Sequence, residues 1–211
     1  MSPDEPGTLF DESVTPWQAW SPREAGDQLS AIQVAGRPVR WAVTGGWAID
    51  LHLGRITRAH DDLEIAVLEA DAAAVLAAFT EPAWRWDIPL DGRLHAWDSV
   101  AATQTHQAWL WSQEHQGFVL DLMRERHDGP SWLFRRDEAI RRDWCEVVCA
   151  DQDGIPYLTP EVVLLFKAKY HRGKDVLDLE AVLPTLESGR RGWLRAAVEQ
   201  VHPGHPWLAR L

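Results

Sequence analysis

Apolar and polar positions change period several times along this chain, and each change predicts an element. Ser21-Pro22-Arg23-Glu24 starts a helix, with Ser at the N-cap, Pro at the first helical position and Glu three residues after the cap. Leu29, Ile32 and Val34 continue it to Gly36. Val39, Trp41 and Val43 then alternate with the two-residue period of a strand and run into Gly45-Gly46. Residues 47–53 read as a short helix closed by Gly54. "DLEIAV" (62–67) is a second strand, and "EADAAAVLAAFTE" (69–81) is a helix capped by Asp71. Asp91-Gly92 marks a hairpin. Residues 107–113 and 118–124 pair as strands across "EHQG", and "WCEVVCA" (144–150) reads as a further strand turned by "DQDG".

The pattern changes character near residue 158. Thr159-Pro160-Glu161 is another cap signal, and 160–171, 174–187 and 190–201 read as helices. The predicted class is α+β: a mixed β-sheet flanked by helices, then a small C-terminal helical bundle. Residues 1–15, acidic and carrying Pro and Gly, are expected to form a loosely held arm. Residues 16–155 form the first domain and 156–211 the helical one.

Composition narrows the partners. Hydrophobic residues make up 45% of the 211, enough for a sizeable core, and most of the 13 tryptophans are expected in that core or in a cleft wall. A formal net charge of −11 weighs against nonspecific nucleic-acid binding and suits a cationic small molecule or metal ions. Cys145 and Cys149 lie too far apart along a strand for an unstrained disulfide and read as small packing residues. The N-terminus has no basic-then-apolar signal pattern, and no apolar run reaches the roughly 18 residues of a membrane helix. A cytoplasmic, membrane-free protein is expected.

The chemistry concentrates in "HDDLEI" (60–65). Strand alternation sends Leu63, Ile65 and Val67 to the core and sets Asp62 and Glu64 side by side on the other face. Two adjacent carboxylates repel unless a divalent cation lies between them, and oxygen-only ligands suit Mg²⁺ or Mn²⁺. Alone, a D-x-E strand start is more often a solvated face. The preceding Gly45-Gly46, a turn that lets backbone approach phosphate at a helix start, changes its meaning. Asp61 falls on the opposite face.

"GGWAID-x-x-LGRITR-x-HDDLE" resembles the signature of the DNA-polymerase-β-like nucleotidyltransferases, and within them the aminoglycoside 2″-nucleotidyltransferase and lincosamide nucleotidyltransferase branches. The close match covers residues 41–67, and a looser one continues beyond. The aminoglycoside branch usually has Asp where this chain has Glu64. The resemblance implies a nucleotidyltransferase fold, transfer of AMP from ATP or another NTP, two Mg²⁺ ions, and a third carboxylate from a later strand. Asp121, in "GFVLDLMRER", is that candidate, as metal ligand or as base for the acceptor hydroxyl. Asp62, Glu64 and Asp121 are therefore the expected catalytic and metal-binding set. Gly45, Gly46, Arg58, His60, Lys167 and Lys174 are the expected nucleotide-binding set.

If one helix continues through Gly173, Lys167, Tyr170, Lys174 and Asp178 share a face, with Lys174–Asp178 an i, i+4 pair. Asp87, Asp91, Asp98 and Glu125 are candidate acids for a cationic acceptor such as an aminoglycoside, in a cleft between sheet and helices. Trp84, Trp86, Trp109 and Trp111 are candidate walls. His202 and His205 read as structural turn residues. Two alternatives stand beside this reading: a nucleotidyltransferase acting on a macromolecule, and an inactive nucleotide-binding module.

Overall fold

The computed structural model describes residues 7–11 and 15–211. In chain order the elements begin with β1 (Thr8–Leu9), α1 (Pro22–Leu29), β2 (Gln33–Val34), β3 (Arg37–Pro38), β4 (Trp41–Val43), α2 (Gly45–Leu53) and β5 (Glu64–Leu68). They continue with α3 (Glu69–Ala78), β6 (Trp84–Leu90), β7 (Arg93–Ala96), β8 (Gln107–Ser112), β9 (Gly117–Glu125), β10 (His127–Asp128) and β11 (Ser131–Leu133). The last are β12 (Arg141–Asp143), α4 (Trp144–Val147), β13 (Val148–Ala150), β14 (Pro156–Leu158), α5 (Pro160–Ala168), α6 (Gly173–Val182) and α7 (Ser188–Val201).

These elements gather into two compact units that interleave along the chain. One takes Met1–Trp41 and His60–Glu125, the other Ala42–Ala59 and Arg126–Leu211. The 155/156 boundary expected from sequence falls inside the second unit.

The first unit is built on strands in the order β1-β7-β6-β8-β9-β5. All neighbours are antiparallel except β5 and β9, which run parallel. Ile65, Ala66, Val67 and Leu68 are all wholly buried, the signature of a parallel strand covered on both faces. The expected in-and-out alternation therefore holds only at the start of β5. Asp91 (φ 49°) and Gly92 (φ 71°) turn the β6–β7 hairpin, both left-handed as a two-residue turn of this kind requires. The expected arm over 1–15 lies partly outside the described residues. Within its described part, Thr8 and Leu9 pair with β7.

Ser21 caps α1 as expected: its hydroxyl accepts the Glu24 N–H and the Glu24 carboxylate accepts the Ser21 N–H. The helix stops at Leu29, short of Gly36, because residues 33–38 fold back as the β2–β3 hairpin over Ala35 and Gly36, both at positive φ. Asp71 does not cap α3. It sits inside the helix, wholly buried, and takes bidentate bonds from Arg37 (2.7 and 2.8 Å) and from Arg40 (3.0 and 3.1 Å). Leu68 occupies the cap position instead.

In the second unit β14 runs parallel to β4 and antiparallel to β13, while β10, β11 and β12 form a separate antiparallel sheet. "WCEVVCA" is not one strand. Asp143 and Glu146 form a reciprocal capping box that winds Trp144–Val147 into a helical turn, leaving only Val148–Ala150 extended. Cys145 is accordingly exposed, not a packing residue. The helices also break earlier than their apolar pattern suggests. α5 ends at Ala168, His171 (φ 46°) reverses the chain, and α6 starts at Gly173. Glu161, wholly buried in the first turn of α5, is held by Arg142 (3.0 Å) and Arg190 (2.8 Å). Among the described residues no helix is long and apolar enough to cross a membrane.

Candidate active site

β5 begins at Glu64, which lies directly beside Asp121 in the parallel register with β9. The Asp121 N–H donates to the Leu63 carbonyl at 2.8 Å, fixing that register. Asp62 sits two residues ahead of Glu64, just before the strand. The negative charges of both reach Asp121. The three expected carboxylates thus share one neighbourhood, while Asp61 is exposed. Among the described residues, no three His, Cys, Asp or Glu side chains close into ligating geometry.

Asp121 is the most constrained of the three. It is 4% exposed. Its Oδ2 accepts from the Gln107 amide at 3.0 Å, and its Oδ1 is buried without a hydrogen-bond partner. Burial, followed by the charges of Glu64 and Asp62, pushes its pKa well above the usual carboxylate range, against the opposing pull of Gln107 and Trp109. Trp109 lies directly across from Asp121 on β8, and its buried indole N–H also lacks a completed hydrogen bond. An orphaned carboxylate oxygen beside two further carboxylates is an oxygen-only donor set that fits Mg²⁺ or Mn²⁺.

The same row of the sheet continues to Asp87, opposite Trp109 on β6. Asp87 is buried and bound by Arg85 at 2.7 Å, so the acid expected to meet an acceptor is already committed. Glu125 ends β9 on the Asp121 face and is 1% exposed. Asp91 belongs to the β6–β7 turn, and Asp98 lies exposed beyond β7. Of the candidate walls, Trp86 is core, with its indole N–H on the Leu76 carbonyl. Trp84 and Trp111 instead line a shallow surface depression of about 200 Å³ with Arg85, Glu81 and Gln113.

The nucleotide-binding candidates Gly45, Gly46, Arg58 and Lys167 lie in the second unit. Gly45 and Gly46 are the first two residues of α2, which starts two residues earlier than expected. Gly45 is at φ 65°, a conformation that favours glycine. Thr44 makes no side-chain cap bond. The first-turn amides have no partner within the helix, which is the arrangement anions favour. Gly54 (φ 64°) closes the helix as expected. Asp50, buried in α2, then accepts the Thr57 N–H at 3.0 Å and ties down the segment that carries Arg58.

Lys167, Tyr170, Lys174 and Asp178 do not share a continuous helix, because of the break before Gly173. Lys167 reaches from α5 to α6 instead, with Nζ 2.9 Å from Asp178 Oδ2 and 3.5 Å from Asp175 Oδ1. Arg58 Nε approaches the other oxygen of Asp178 at 3.4 Å. Asp178 is therefore engaged by Lys167 and Arg58, where sequence paired it with the exposed Lys174. Two buried acids three residues apart on α6, Asp175 and Asp178, were the available signal for this network. His60 is half-buried beside Asp61.

Solved structures share the fold that carries this arrangement. The solution structure of the antibiotic-resistance factor ANT(2″)-Ia superposes over 85% of this chain and 88% of that one, with TM-score 0.53 and 16% identity. The crystal structure of ANT(2″)-Ia in complex with adenylyl-2″-tobramycin does so over 85% and 93%, with TM-score 0.54 and 16% identity. The chain carries the nucleotidyltransferase fold. Residues 31–93, which contain the "GGWAID…HDDLE" run, match the family model of aminoglycoside-2″-adenylyltransferase. The lincomycin-bound lincosamide antibiotic adenylyltransferase LnuA aligns over 68% of this chain and 85% of that one, with TM-score 0.45 and 19% identity. No curated protein matches the chain by sequence.

Proposed function

We propose that this protein is a Mg²⁺-dependent nucleotidyltransferase that moves AMP from ATP to a hydroxyl of a small-molecule antibiotic, an aminoglycoside in the first instance. The observation that carries this reading is the Glu64–Asp121 register, with Asp62 alongside and the buried Asp121 Oδ1 left without a partner. A carboxylate desolvated among like charges is a standing cost unless a cation or a proton meets it.

Asp62, Glu64 and Asp121 would hold the metal. When bound, a divalent cation supplies charge neutralisation of the triphosphate and a lowered pKa for the acceptor hydroxyl. Asp121 Oδ1 is the atom that accepts either the metal or the acceptor's proton, while Gln107 keeps Oδ2 occupied. The amides of Gly45 and Gly46 receive phosphate oxygens at the start of α2. Lys167 and Arg58 balance the charge that develops on departing pyrophosphate, with His60 and Lys174 as outer members of the same set. The net charge of −11 favours approach of a polycationic acceptor.

The test is incubation with Mg²⁺, each NTP and an aminoglycoside panel, read by pyrophosphate release and by acceptor mass. The expected result is a mass gain of one AMP, lost in Asp62→Asn. A gain of phosphate alone would overturn the reading. Unchanged turnover in Asp62→Asn would do the same.

A further inference from the structure

Two cations of the nucleotide set converge on a single acid. Asp178 is 2% exposed and gives one carboxylate oxygen to each: Oδ2 lies 2.9 Å from Lys167 Nζ, and Oδ1 lies 3.4 Å from Arg58 Nε. The neighbouring acid, Asp175, is spent elsewhere. Its Oδ2 accepts the Arg172 backbone N–H and Nε, both at 2.9 Å, so its 3.5 Å approach to Lys167 is secondary. Arg58 also donates to the Ala59 carbonyl at 3.0 Å. Lys167 is itself only 8% exposed.

We infer that Asp178 is a positioning residue for the nucleotide's phosphates: it sets Lys167 and Arg58 as one rigid pair of cations rather than serving as an ordinary helix-surface acid. The inference rests on the nucleotidyltransferase reading. Its physical basis is entropic as well as electrostatic. A lysine and an arginine left free lose much rotamer freedom when they clamp an anion. Here that cost is met on folding, because one buried carboxylate fixes both head groups. A lysine ammonium carries three donors, and the 2.9 Å approach of Lys167 to Asp178 Oδ2 is an ion pair that leaves that oxygen without a completed hydrogen bond. The arrangement differs from a structural ion pair in one respect. Asp71 and Glu161 also hold two cations each, whereas both cations on Asp178 belong to the expected nucleotide-binding set.

The test is equilibrium binding of inorganic pyrophosphate and of a non-hydrolysable ATP analogue to the full chain by calorimetry, alongside thermal melting. Asp178→Asn keeps the shape and removes the charge. We expect it to weaken both ligands about tenfold, the equivalent of about 1.4 kcal/mol. Arg58→Gln should weaken binding in the wild type and add little in the Asp178→Asn background, the non-additivity of residues acting as one unit. Asp178→Glu covers the case in which the Asn variant does not fold. It keeps the charge but moves it by one methylene, and the expected loss is about threefold. Affinity unchanged in a folded Asp178→Asn, or in Asp178→Glu, would overturn the inference alone. Additive losses from Arg58→Gln and Asp178→Asn would also overturn it. No binding of either ligand by the wild type would overturn the nucleotide reading, and this inference with it.

Discussion

At the scale of single residues, the candidate site depends on which oxygen of Asp121 is occupied. Gln107 takes Oδ2 and leaves Oδ1 without a partner. Gln107→Leu should cost about 1–2 kcal/mol of transition-state stabilisation, roughly tenfold in kcat/KM, because a hydrogen bond to a charged group is lost. Half-activation should then need more Mg²⁺. The check is a Mg²⁺ titration of initial rates, with melting to show that the fold is unchanged. Asp71 carries a different prediction, for stability. Burial opposes its charge, yet Arg37 and Arg40 hold its pKa far below the usual carboxylate range. Asp71→Asn should cost about 3 kcal/mol, seen as an earlier urea midpoint, because two guanidinium groups lose their shared anion. Sequence pointed to Asp62 and Glu64 through strand alternation, a local pattern, and to Asp121 only through the family resemblance. Gln107 and Asp71 were not legible, since each gains its partner only through tertiary register.

At the scale of elements, reciprocal caps mark where helices begin, and they are unequally visible in the sequence. The Ser21–Glu24 box stands out because Pro22 follows the cap. The same three-residue spacing in Asp143–Glu146 is masked by Val147 and Val148, whose β-branched side chains suggest a strand. The break between α5 and α6 was only half legible: Gly173 signalled it, but the left-handed His171 did not. That break brings His171 to His205, with ring centroids 5.1 Å apart, and His202 lies 5.9 Å from His205. Burial first, then the positive charges of Arg136 and Lys169, lower the His202 pKa. Burial first, then His171 and His202, lower that of His205, while its bond to the Ala168 carbonyl opposes the shift. A histidine depressed in the folded state binds fewer protons there than when unfolded. Stability is therefore complete above the unfolded pKa of about 6.5 and falls as pH drops below it. Melting at pH 5.5 against pH 7.5 should show a lower midpoint in acid. His202→Asn should shrink that difference.

At the scale of the whole molecule, net charge carries a prediction about how partners arrive. A chain with net charge −11 should draw in polycationic acceptors through a field that salt screens over about 10 Å at 0.1 M. KM for a polycationic aminoglycoside should rise between 20 and 300 mM salt, while that for an uncharged acceptor stays nearly flat. Steady-state kinetics across that range provide the check, and identical slopes would remove charge steering from the account. The charge itself is plain from composition. The division of the chain was less so: the compact units interleave, with 42–59 grouped with 126–211. A reading that moves along the chain places boundaries between consecutive elements and misses one that recurs.

Glu161 gives the grouping of 126–211 in one unit a practical meaning. Its carboxylate is shared by Arg142, upstream of the expected boundary, and by Arg190, downstream of it. A gene divided at codon 155 would send Arg142 to one product and both Glu161 and Arg190 to the other. The first product would expose a guanidinium and the bare edge of β13, without its β14 partner. Co-expressing the two pieces would then be a complementation assay, in which recovered solubility reports that the severed ion pair has re-formed in trans.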